Sequence, residues 1–167
     1  MSNPSLFFAI AGISMSFAGF AGLFLALRPH DSAMERVDIG QLNTIVLNAL
    51  TALFSALLVI PLSTLLTEDI ALRGLGAVVL VLSFYGHQVR IGTSWLRWQA
   101  VETLTRREML WRGGPFIVAA IAEQLLLLAN VLSPSQDVFG LALILMLGTP
   151  AMVFVTVVTD MNARRGR

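Results

Sequence analysis

The sequence predicts an all-α integral membrane protein, a single domain over residues 1–167 built as a bundle of five transmembrane helices. Of the 167 residues, 56% are hydrophobic and 13% are charged, whereas a soluble domain carries about 25% charged residues. The mean hydropathy is +0.80. Apolar stretches of about 20 residues, the length that crosses the hydrocarbon core of a bilayer, recur along the chain.

The apolar stretches predict spans at about residues 6–27, 42–66, 70–89, 113–132 and 138–158. The first starts without basic residues, which favours a retained span over a cleaved signal peptide. The second is long enough to cross with tilt. The third has Arg73 near its start, and its uninterrupted apolar core covers only residues 74–86. Short connections after the second and fourth spans predict antiparallel helical hairpins.

The arginine distribution favours five spans over four. The formal net charge is only +1, and all 11 basic residues are arginines. With the N-terminus outside and five spans, ten of the eleven fall on the cytoplasmic side, as short-loop basic residues do. These ten are Arg28, Arg36, Arg90, Arg97, Arg106, Arg107, Arg112, Arg164, Arg165 and Arg167. The predicted location is a bacterial-type inner membrane, with the C-terminus in the cytoplasm.

The segment 90–112 is predicted to be a short amphipathic helix on the cytoplasmic surface. Helical spacing aligns Ile91, Trp95, Trp98 and Val101. Aromatic and arginine side chains place such helices in the headgroup layer. The predicted anchors are Trp95, Trp98, Trp111, Arg97, Arg106 and Arg107. Docking on a protein partner is an alternative. A nucleic-acid surface is not expected, because the positive-inside rule already accounts for these arginines.

The first span carries small residues at a strict spacing of four, namely Ser14, Ala18, Gly22 and Ala26. Small residues let helix backbones approach closely in lipid. This pattern predicts a helix-packing interface. Its partner is either another helix of this chain or a second protein.

The second span carries a polar stripe in its cytoplasmic half, formed by Thr44, Asn48, Thr51 and Ser55. An unsatisfied amide in hydrocarbon costs several kcal/mol. Two interpretations remain open. The stripe either forms interhelical hydrogen bonds or lines a hydrated half-pathway.

Glu123 lies close to the middle of the fourth span, where insertion of a charged side chain costs about 2.5–3.5 kcal/mol. Gln124 follows it, and Ala119 and Asn130 share its helix face. Because that face is small and polar, we expect it to turn toward the bundle interior. Burial in hydrocarbon favours the neutral form of a carboxyl.

The fifth span places Gly148, Thr149 and Pro150 at a similar depth. Pro150 has no N–H, so the carbonyl of Met146 loses its helical donor and a kink is expected. In a structural role, a protonated Glu123 donates to Met146 or Thr149. In a functional role, Glu123 carries a proton or ion. The candidate pathway residues are then Glu123, Gln124, Thr149, Asn48 and Thr51.

Several functional classes lack support in the sequence. There is no cysteine, which excludes disulfides and thiolate metal sites. Two histidines, His30 and His87, are weak evidence for a metal, and we expect no metal or cofactor. No recognisable catalytic motif occurs, so a membrane-embedded enzyme is only a second alternative.

The function predicted from these observations is helix packing in the membrane, as a homo-oligomer or as a subunit of a larger assembly. The expected partners are the lipid bilayer and a second copy or a larger membrane protein. The alternative is a small proton- or ion-linked channel or transporter that uses Glu123.

Overall fold

The computed structural model describes the backbone of residues 3–26, 36–100 and 106–165, and the side chains of residues 3–23, 45–86, 114–148 and 151–152. Within these ranges the chain forms five helices and no strand. They are α1 (Pro4–Ala26), α2 (Arg36–Leu65), α3 (Glu68–Ala100), α4 (Arg106–Leu132) and α5 (Gln136–Arg165). The predicted all-α class is confirmed for the described residues.

Four segments within these helices are long and apolar enough to cross a membrane. They are Pro4–Leu23, Ile45–Leu65, Glu68–Gly86 and Gly114–Leu132. By length and composition the chain is therefore a multi-pass membrane protein. In α5 the described apolar part, Gln136–Gly148, is shorter than a span, so the fifth crossing stays a prediction.

The segment 90–112 forms no separate helix in the described residues. Residues 90–100 continue α3, and residues 106–112 begin α4. Helix α3 continues through Val89 to Ala100 because no proline interrupts the chain there. The side chains of the six predicted anchors lie outside the described set, and their position in the headgroup layer stays a prediction.

Four helices form a ring in the order α2, α3, α4, α5 and back to α2 in the described residues. In the described residues, α2 and α4 do not pack against each other, and α3 and α5 touch only slightly. Helix α1 lies outside the ring, in the groove between α2 and α5. This arrangement makes α3 and α5 the two neighbours of α4.

Small residues on α2 let α1 approach closely. Ala49, Ala52 and Ala56 are fully buried in the core, and close backbone approach supplies dispersion energy that helix association in lipid requires. On the other side of α1, the ring of Phe7 packs against Phe139 of α5 with centroids 6.2 Å apart. These contacts fix α1 to the ring.

The small residues of α1 do not share one environment. Ser14 is buried and donates to the carbonyl of Ile10 at 2.7 Å, Ala18 is half-buried and Gly22 is exposed. The side chain of Ala26 lies outside the described set. A four-residue step turns a helix by about 40° more than one full turn, so a strict spacing of four winds around the helix surface. Among the described residues, Ser14 and Ala18 therefore face the bundle and Gly22 does not.

Candidate functional site

Glu123 is completely buried, with 0% of its surface exposed. It lies in the middle of the apolar segment Gly114–Leu132 of α4. Neither carboxyl oxygen has a hydrogen-bond partner in the described part of the chain. Leaving a buried polar group unsatisfied costs about 1–3 kcal/mol, and more if it is charged. The fold thus keeps a carboxyl without hydrogen bonds in its interior.

Ser83 of α3 is the polar side chain beside this carboxyl. Its hydroxyl is held by two other contacts: Gln124 Nε2 donates to Ser83 Oγ at 2.6 Å, and Ser83 Oγ donates to the Leu80 carbonyl at 3.4 Å. The other end of the Gln124 amide, Oε1, is buried without a partner. Oxygen acceptors therefore outnumber donors where α3 meets α4.

Met146 of α5 lies at a similar depth. It is ten residues from the start of α5, and Glu123 is nine residues from the end of α4, so at about 1.5 Å per residue the two differ by only a few ångströms. Its side chain is buried, and its carbonyl lacks the usual helical donor because residue 150 is proline.

The predicted hydrogen bond from Glu123 to Met146 does not form, since both carboxyl oxygens are unbonded in the described structure. Thr149 and Pro150 have side chains outside the described set. The backbone of α5 is helical from Gln136 to Arg165, and the kink at Pro150 stays a prediction.

Asn130, two turns outward from Glu123 on α4, clamps α4 to α3. Its Nδ2 donates to the Leu72 carbonyl at 2.8 Å, and its Oδ1 accepts from the backbone N–H of Ser135 at 3.1 Å. The clamp needs Gly76, because a Cβ there would lie 2.5 Å from Asn130 Nδ2. Asn130, which shares a helix face with Glu123, thus donates through its amide nitrogen and accepts through its amide oxygen. Neither carboxyl oxygen of Glu123 has a partner in the described residues.

Gln136 joins the starts of α1, α3 and α5 at one end of the bundle. Its Oε1 accepts from the backbone N–H of Asn3 at 3.0 Å, and its Nε2 donates to Glu68 Oε1. Gln136, Asn130 and Glu123 are all buried. They place polar side chains at three depths between that end of the bundle and its middle.

The described side chains of the α2 polar stripe lie on a helix that does not pack against α4 in the described residues. Asn48 and Ser55 are buried, and the Thr51 hydroxyl donates to the carbonyl of Leu47 at 2.8 Å. Since α2 does not pack against α4 in the described residues, these side chains lie across the ring from Glu123. Gln124 follows Glu123 on α4, and the side chain of Thr149 lies outside the described set.

Sequence reasoning missed Ser83. The available signal was its position as the one serine in the apolar core 74–86. In hydrocarbon a hydroxyl marks a helix face that turns inward. The sequence shows no direct reason to pair it with Gln124, because the register of α3 against α4 is a tertiary property.

The chemistry of this site suits a proton or a monovalent cation. Its ligands are oxygens, and it holds a single carboxyl. No group of three or more His, Asp or Glu side chains that would hold a metal ion occurs among the described residues. A divalent ion with one carboxylate would leave a net positive charge in the membrane interior, which is costly.

We compared the chain with models of known protein families, with curated proteins and with solved structures, and found no match.

Proposed function

We propose that this protein is a small multi-pass membrane protein that carries protons or a monovalent cation, with Glu123 as the exchangeable group. The observation that carries the proposal is the complete burial of Glu123 without a hydrogen bond to either carboxyl oxygen. From the sequence, helix packing was the expected function and proton or ion transport the alternative. Here transport is the leading proposal.

The reason lies in the energetics of buried acids. A carboxyl kept only for structure is expected to be bonded, because buried polar groups nearly always have partners. Asn130 shows that this fold can supply such bonds two turns away. An unbonded carboxyl in hydrocarbon is stable when a proton neutralises it or a cation occupies its free oxygens.

Polar side chains at several depths also support a pathway. Gln136, Asn130 and Glu123 connect the outer end of the bundle to its centre. Fully buried Leu127 lies between Asn130 and Glu123 on α4. The proposed exchange with the outer side therefore requires the Leu127 side chain to move.

Flux through the purified protein tests this function. Protein reconstituted in liposomes with an internal pH-sensitive dye is expected to relax an imposed pH gradient faster than protein-free liposomes. The same vesicles report cation movement when an alkali cation gradient replaces the pH gradient. Wild-type protein that moves neither protons nor alkali cations at any pH tested would end the transport proposal.

A second candidate function is association with another copy or a larger membrane assembly. The observation that favours it is the lipid-facing surface of α1, where Gly12, Gly19 and Gly22 are exposed. A Cβ at any of the three would meet nothing within 4 Å. Exposed glycines in a membrane helix permit close approach of a partner helix.

Gly22→Ile tests the association. Because a Cβ at Gly22 would meet nothing within 4 Å in the described residues, we expect this variant to fold normally but to run as a smaller species than wild type on size-exclusion chromatography in mild detergent. Gly74→Ile on α3 is the matched control, since Gly74 is also exposed with nothing within 4 Å of its Cβ position. An unchanged elution volume for Gly22→Ile would contradict the interface.

We further propose an inner-membrane location with the N-terminus outside and the C-terminus in the cytoplasm. The arginine distribution supports this orientation. Of two reporters fused after Arg167, one active in the cytoplasm and one active in the periplasm, we expect only the first to give a signal. A periplasmic signal from that fusion would contradict the five-span topology, because an even number of spans would then be required.

A further inference from the structure

We propose that the Glu123 site binds an alkali cation of the Na⁺ type, held by the Glu123 carboxylate, the Ser83 hydroxyl and the Met146 carbonyl, in competition with a proton. The inference deepens the proposed function and rests on it. It names the cation class and the residues that distinguish a cation site from a site for protons alone.

The first step is the excess of oxygen acceptors. Both oxygens of Glu123 and Oε1 of Gln124 are buried without donors. A proton on Glu123 supplies one donor and leaves the other acceptors unsatisfied. Glu123 and Gln124 are adjacent on a helix and do not face each other, so a protonated Glu123 does not readily donate to Gln124. A cation takes both Glu123 oxygens as ligands at once, whereas a proton binds only one of them; Gln124 Oε1 is not among the proposed ligands.

The second step is the position of Ser83. Gln124 Nε2 donates to Ser83 Oγ at 2.6 Å, and Ser83 Oγ lies 3.4 Å from the Leu80 carbonyl oxygen. Because Gln124 fixes the position of this hydroxyl, Ser83 holds an oxygen beside the carboxyl. A hydroxyl oxygen held beside a carboxylate suits a hard cation. Gln124 acts here as a positioning residue.

The third step is the charge balance. Among the described side chains of α3 and α5, the two helices packed against α4, the titratable and charged groups are Glu68, Asp69, Arg73, Tyr85 and Asp137. The four charged ones lie at the outer ends of their helices. Tyr85 is 71% exposed. No described cation on these helices neutralises Glu123, so one monovalent cation would leave the site neutral.

The fourth step is the ligand type. Alkali and alkaline-earth cations are hard ions that prefer carboxylate, hydroxyl and carbonyl oxygens. The carbonyl of Met146 is free of its usual helical donor because residue 150 is proline. It lies at a similar depth to Glu123, on the neighbouring helix. The proposed ligand set thus takes one oxygen group from each of α3, α4 and α5.

Equilibrium binding of radioactive Na⁺ and Rb⁺ to the purified full chain in detergent tests the proposal. Wild type at alkaline pH is expected to bind one cation per chain and to release it on acidification, as protons take its place. Glu123→Gln is expected to bind none. Ser83→Ala is expected to bind at least about tenfold more weakly, which corresponds to about 1.4 kcal/mol.

Ser55→Ala is the matched control, because Ser55 is also a buried serine but lies on α2, which does not pack against α4 in the described residues. Its affinity is expected to equal that of wild type. Circular dichroism and size-exclusion chromatography confirm that each variant is folded. Ser83→Ala keeps the test informative if Glu123→Gln fails to fold.

Wild type that binds neither cation, or Ser83→Ala and Ser55→Ala with equal affinities, would overturn the cation site. If proton flux persists in liposomes under that result, the proposed transport function stands and the site carries protons alone. If neither binding nor flux is found, both proposals fail.

Discussion

Glu123→Gln is expected to abolish pH-driven flux in proteoliposomes while leaving the fold intact. Glutamine keeps the size of the side chain but has no titratable proton and no charge. The side chain is completely buried at mid-span, so the substitution changes little besides proton and ion exchange. The measurement is the initial rate of dye response at equal protein density, with helix content checked by circular dichroism.

Asp137→Asn is the matched control for this substitution. Asp137 lies in the first turn of α5, and its side chain is exposed. The same removal of one acid there is expected to leave the flux unchanged. Equal flux in wild type and Glu123→Gln would show that ions do not pass through this carboxyl.

Glu123→Leu separates function from stability. Since neither carboxyl oxygen is bonded, leucine removes no hydrogen bond of Glu123. Replacing a buried polar group by an apolar one of similar size is then nearly neutral or stabilising. We expect an unchanged or increased free energy of unfolding together with complete loss of flux. A destabilisation of about 1–3 kcal/mol would instead indicate a bonded, structural acid.

Gly76→Ala is expected to give the largest loss of stability among single-methyl substitutions in α3. A Cβ at this position would lie 2.5 Å from Asn130 Nδ2, so Asn130 must move. That movement breaks its hydrogen bonds to the Leu72 carbonyl and the Ser135 N–H. Stranding these buried groups costs about 1–3 kcal/mol. The free energy of unfolding in mixed detergent and denaturant measures the effect.

Two variants control this prediction. Gly74→Ala adds the same methyl group to the same helix in open space, so it is expected to be neutral or slightly stabilising, as alanine is the better helix former. In an Asn130→Ala background, Gly76→Ala is expected to lose most of its cost, because contacting residues are not additive. If Gly76→Ala lowers the free energy of unfolding equally in the wild-type and Asn130→Ala backgrounds, Asn130 does not clamp α4 to α3.

The membrane class and the helix order could be predicted from the sequence because both depend on local properties. Hydrophobicity, length and the placement of arginine require no knowledge of which helices are neighbours. The same holds for the position of Glu123 near mid-span, which is a count along one segment. The segment 90–112 was harder, because the sequence around Val89 contains no signal that ends α3.

The composition of the site could not be predicted, because depth alone does not determine which helix faces which. Asn48 and Thr51 lie on α2, which the ring places away from α4. Ser83 lies on α3, which packs directly against α4 and receives the Gln124 hydrogen bond. Helix rotation and neighbour choice depend on side-chain packing between distant segments.

By itself, the sequence determined that this protein is helical, apolar enough for a membrane, and has one acid in the middle of a span. The tertiary structure decided that Asn130 is bonded and Glu123 is not. The physical reason is that a buried group is satisfied only by atoms that packing brings within hydrogen-bond distance. For Glu123, packing places the Ser83 side chain beside the carboxyl but leaves both carboxyl oxygens unbonded.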